Sequence, residues 1–137
     1  MAEKTIKVAE YSDGKVIEKK RKMKATALLP RLYRFKFGRD LMVDMAKLNV
    51  AYQRVAKSLD ENATDEERQA EQFSMFDLTV FENAAWLMMK HAGEDVGESP
   101  DEWLENVAGM FTIYEIMPTI VELWNATQIT TAKPAKK

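Results

Sequence analysis

The chain has 137 residues, the length of one domain, and 46% of them are apolar, enough to build a core. It has no cysteine, which excludes disulfides, thiolate metal sites and cysteine nucleophiles, and which fits a reducing compartment. The net charge of −2 is unevenly spread: residues 1–39 carry 12 Lys and Arg against four Asp and Glu (+8), and residues 40–137 carry 8 against 18 (−10).

From the N-terminus, KTIKVAEY (4–11) alternates apolar and polar residues, Ser12-Asp13-Gly14 signals a turn, and Lys15-Val16-Ile17 restarts an extended pattern. A β-hairpin over about 4–24 is expected, its lysine-rich second strand suited to an exposed edge. Pro30 fits a helix's first turn and Gly38 a position just past its end. Between them Leu29, Tyr33 and Phe37 form one row and Leu28, Leu32 and Phe35 the next, the pattern of a short amphipathic helix. In this reading Leu32, Tyr33, Phe35 and Phe37 pack on the core, while Arg31, Arg34, Lys36 and Arg39 line the outer side. A strand with Tyr33, Phe35 and Phe37 on one face is the alternative.

Leu41, Met45, Leu48, Tyr52, Val55 and Leu59 then form a helical seam from Asp40 to about Leu59. Thr64-Asp65-Glu66-Glu67 reads as a capping box opening a helix that runs to Ala92, stopped by Gly93. Its second half is apolar nearly all round, so it is either central or partly covered by another molecule. Ser99-Pro100-Asp101-Glu102 is a second capping box, predicting a helix from Pro100 to about Ala108. A last helix starts near Thr112, with a kink or restart at Pro118. Residues 126–137 lose periodicity and read as a flexible tail. The fold class is mainly α (α+β): an N-terminal hairpin followed by a compact bundle of about five helices, one domain over 1–125.

The longest apolar run, Ala84 to Met89, is six residues, against about 20 for a membrane span. The stretch MAEKTIKVAEYSDGK holds no apolar signal core, so a soluble intracellular protein is expected. Chemistry is poorly supported. His91, the sole histidine, reads as a helix C-terminal residue without a nucleophile beside it. Asp40 and Asp44 read as helix-face acids or partners of Arg39 and Lys47. The five glycines never cluster into a phosphate loop. No enzyme, cofactor or metal is expected. Lys19, Lys20, Arg21 and Lys22 are the best hint of nucleic-acid binding, though a solvated edge strand explains them as well. Met88 and Met89 beside Trp86 fit either a core or an adaptable binding surface.

The stretches PRLYRFKFGRDLMVDMAKL (30–48), EQFSMFDLTVFENAAWLMMKHAG (71–93) and SPDEWLENVAGMFTIYEIMPTIVELW (99–124) resemble the tail assembly chaperones of long-tailed, siphovirus-type phages and prophages of Gram-positive bacteria. They cover about half the chain. The resemblance implies a protein of the host cytoplasm, absent from the mature virion. It would bind the long helical tape measure protein, keep it soluble and promote tail tube assembly. It also implies the tail tube protein and a longer frameshift product as further partners. The expected partner or self-assembly residues are Lys19, Lys20, Arg21, Lys22, Arg31, Arg34, Lys36, Arg39, Trp86, Met88 and Met89. Self-association through the oppositely charged parts of two copies is expected. The competing readings are a small nucleic-acid-binding accessory protein and a structural tail component.

Overall fold

A computed structural model describes residues 2–58, 75–109 and 112–127, with side chains described for 2–50, 78–109, 112 and 115–127. The Thr64 capping box, the seam side chains Tyr52, Val55 and Leu59, and residues 128–137 of the tail lie outside the described residues.

Strands β1 (Ala2–Ser12) and β2 (Lys15–Ala25) pair antiparallel, in register from Ala2 opposite Ala25 to Ser12 opposite Lys15. The connection is two residues long. Asp13 and Gly14 sit at φ 53° and 76°, the positive values that a tight hairpin turn with the strands' own twist demands. Alternation puts Ile6, Val8 and Glu10 with Arg21, Met23 and Ala25 on the inner face, all buried.

Helices α1 (Leu29–Phe37), α2 (Leu41–Ser58), α3 (Met75–His91), α4 (Pro100–Leu104) and α5 (Thr112–Ala126) follow. The mainly helical α+β architecture with an N-terminal hairpin is as the sequence predicts. Gly38 ends α1 in the left-handed conformation, its N–H donating to Arg34 O. Asp40 opens α2: its carboxylate accepts from Met42 N at 2.9 Å and Val43 N at 3.4 Å. At the end of α3, Gly93 has φ 89°, Glu94 N donates to Met89 O and Gly93 N to Lys90 O. That bond pair satisfies the last carbonyls.

Helix α3 is central: it packs against β2 and all four other described helices. Val80, Phe81 and every residue from Ala84 to Met89 are buried. Burying each large apolar side chain contributes roughly 1.5–3 kcal/mol, so this helix anchors the core. Among the described residues no helix is long and apolar enough to cross a membrane.

Three local expectations need correction. Helix α4 ends at Leu104, not near Ala108, because the chain there turns to pair with β1. Tyr11 N donates to Asn106 O at 2.7 Å and Ala108 N to Ala9 O at 2.8 Å, with Val107 bridged to Glu10. Helix α5 does not restart at Pro118: it continues through that residue, whose side chain faces solvent. Phe35 is 70% exposed and does not reach the core, since it lies on the side of α1 opposite Leu29 and Tyr33.

Candidate functional site

The basic run on β2 divides by strand alternation. Lys20 and Lys22 lie on the outer face, Lys19 and Arg21 on the inner one. Lys19, Lys20 and Lys22 are exposed. Arg21 is 6% exposed and engaged: Nε and Nη2 donate to Glu10 at 2.9 and 2.7 Å, and Nη1 to Glu94 Oε1 at 3.1 Å. Trp103 Nε1 adds a 3.3 Å bond to Glu10. Hydrogen bonding to Glu10 outweighs burial and raises the Arg21 pKa further. Arg21 is therefore an internal pin between β1, β2 and the loop after α3, not part of a binding surface. An open cleft of about 310 Å³ borders this pin, with Lys19, Asp95, Glu102 and Asn106 in its lining.

The aromatic and basic stretch of α1 also divides. Tyr33 packs on Phe37 with the rings tilted at 56° and their centroids 4.9 Å apart, and Phe37 meets Trp86 edge-on at 6.2 Å. Lys36 lies over the Trp86 ring at 5.3 Å and donates to Glu98 O at 2.7 Å. Arg39 clamps Asp44 with two 2.8 Å bonds, and Tyr33 Oη donates to the same carboxylate at 2.9 Å. Asp44 is only 1% exposed. Burial pushes its pKa up, but the bonds from Arg39 and Tyr33 win and hold it below the usual range. Burial, then the Asp44 bond, pushes the Tyr33 phenol upward. Lys36 and Arg39 thus hold this chain together. Arg31 and Arg34 remain exposed, flanking the Phe35 ring at 5.4 and 5.9 Å. Trp86, Met88 and Met89 are buried, at 3%, 0% and 0% exposure, because α3 packs against β2 and the four other described helices. They fill the core and offer no surface to a partner. Trp86 Nε1 donates to Val96 O at 3.2 Å. His91 shares a 2.8 Å hydrogen bond with the Thr26 hydroxyl; burial, then the nearby Lys24, lowers its pKa.

The surface that the residue patterns leave unassigned is the outer side of α2. Leu41, Asp44, Met45 and Leu48 point inward and are buried. Met42, Val43, Ala46 and Val50 point outward, and the three larger ones are 56%, 48% and 68% exposed. On a 3.6-residue period these four fall within an arc of roughly 100°, on the side away from the buried row. Single exposed apolar residues need no explanation, but a row along one helix marks a contact surface. Its signal is visible in the sequence as a second apolar row, one position behind the Leu41–Met45–Leu48 seam. Tyr11, Val16 and Ile17 form a smaller exposed apolar group at the hairpin tip.

No family model matches the chain, and searches of curated proteins and of solved structures find no match.

Proposed function

We propose that this protein is a non-catalytic chaperone of phage tail assembly, which binds the tape measure protein, keeps it soluble in the host cytoplasm and promotes tail tube assembly. The observation that carries the reading is the apolar outer row of α2. A long helical partner with bare apolar seams aggregates unless something covers them. An exposed helix face bearing Met42, Val43, Ala46 and Val50 supplies such a cover, and the methionine adapts to different partner side chains. The three stretches that resemble tail assembly chaperones support the same reading, and the first of them contains Met42, Val43 and Ala46 of this row.

Co-expression tests the proposal. A tape measure protein of a long-tailed phage, expressed with this chain, moves from the insoluble to the soluble fraction. Met42→Glu/Val50→Glu, which places charge on the outer row only, loses that effect. If the tape measure protein stays insoluble with the wild-type chain, the reading fails. The chain should also be missing from purified virions; finding it there in stoichiometric amounts would favour a structural tail component instead.

A further inference from the structure

Charge on this molecule is largely segregated: the hairpin's outer face carries Lys7, Lys20, Lys22 and Lys24, and residues 94–105 hold six acids and no base. The outer side of α1 differs, because cations and large apolar groups share it. Phe35 is 70% exposed, and Leu28, the N-cap residue with helical backbone, is 47% exposed. Seven positions apart on a 3.6-residue period, the two lie nearly in line, about 10 Å from each other along the axis. Arg31 falls between them and Arg34 beside them, all four within an arc of roughly 120°. Leu29 and Tyr33, on the other side of the helix, hold it to the core.

Neither arginine is spent within the chain. Lys36 is bonded to Glu98 O and Arg39 clamps Asp44, whereas Arg31 and Arg34 pair with no carboxylate among the described residues, and α1 contains no acid. What they touch is the Phe35 ring, at 5.4 and 5.9 Å, and they leave that residue mostly open to water. A guanidinium without an anion keeps a rigid fork of N–H donors that matches a carboxylate. Exposed apolar side chains standing alone carry no message, but two of them bracketing two unpaired guanidiniums define a partner by shape and charge together.

Nucleic acid fits this face less well. Two free cations neutralise two phosphates, fewer than the roughly 6–10 contacts of a typical nucleic-acid interface. A base stacking on Phe35 must also displace the guanidiniums that already lie over the ring. An acidic protein segment satisfies both halves of the face. We propose that the outer side of α1 is a docking site for an acidic amphipathic helix of another protein. Carboxylates of that helix pair with Arg31 and Arg34, and two of its apolar residues, two turns apart, cover Leu28 and Phe35. The face shares no residue with the outer row of α2, so it does not depend on the chaperone reading.

Fluorescence anisotropy on the full chain tests it. The probe is a labelled, alanine-rich helical peptide of about 15 residues, with two leucines seven positions apart and two glutamates between them. Wild-type protein binds it. Phe35→Ala and Arg31→Gln/Arg34→Gln each weaken binding at least about tenfold with unchanged circular dichroism, since all three side chains are exposed. Arg31→Glu/Arg34→Glu binds the same peptide with lysines in place of its glutamates, which wild-type protein does not. No binding of the acidic peptide by wild-type protein overturns the proposal, and so does equal affinity in the Phe35 and arginine variants. A single-stranded oligo-dT held more tightly than the peptide and released by Arg31→Gln/Arg34→Gln gives the face to nucleic acid and overturns it too. An oligomer of the wild-type chain that Phe35→Ala dissociates gives it to a second copy, with the same consequence.

Discussion

At the scale of single residues, the decisive feature is the number of charges that fold inward. Arg21 sits with its two carboxylates where water does not reach it freely, so removing it strands Glu10. Arg21→Met should cost about 3–5 kcal/mol in denaturant unfolding, and adding Glu10→Gln should recover part of that loss. If Arg21→Met unfolds at the wild-type midpoint, the pin is not structural. His91 gives a signed pH dependence. Its folded pKa lies below the ordinary 6.5, so the unfolded chain takes the proton first. Its stabilisation is present above pH 6.5 and fades as pH falls through the folded value. Asp44 behaves likewise from its ordinary 3.8 downward. Melting temperature against pH should fall on the acid side of pH 6.5, and His91→Gln should flatten that first descent while leaving the one below pH 4. Equal descents in both proteins would remove His91 from the account. The Arg21 pin was not legible in the sequence. Arg21 lies in a run of lysines, and its partners Glu10 and Glu94 stand 11 and 73 positions away, brought close only by the hairpin and by the end of α3. Arg39 has its partner five residues on, and that pairing was within reach of the sequence.

At the scale of elements, local chemistry fixes most boundaries. Asp13-Gly14 and Gly38 mark their turns because left-handed backbone favours these residues, and Ser99 marks the start of α4 because its hydroxyl accepts from Glu102 N at 3.2 Å. Ser99→Ala should lower stability by about 1 kcal/mol, measured by denaturant unfolding. No loss would show that Pro100 and tertiary packing position α4 unaided. The end of α4 was not legible, since it depends on backbone bonds to β1, across nearly the whole chain. Phe35 illustrates the same limit. A row of apolar residues on a short helix reads as core; Leu29, Leu32, Tyr33 and Phe37 do pack on it, and Phe35 does not. The two apolar rows of α2 were both present in its sequence. One is satisfied by α3, and the other has no cover among the described residues.

At the scale of the whole molecule, the arrangement is a well-packed body with three distinct surfaces: a cationic sheet face, an acidic loop and helix, and an apolar helix row. The apolar row is the surface proposed for a helical client, and salt should leave such a contact largely intact, since apolar burial is not screened. The central claim is that the outer row of α2 holds the client. Calorimetric titration of the full chain with a soluble helical segment of the tape measure protein tests this most directly. Wild-type protein should bind, with a negative heat-capacity change from apolar burial. Val43→Glu/Val50→Glu should bind at least about 100-fold more weakly, because two apolar contacts of roughly 1.5–3 kcal/mol each are lost. Equal affinity in a variant that keeps its fold would contradict the account.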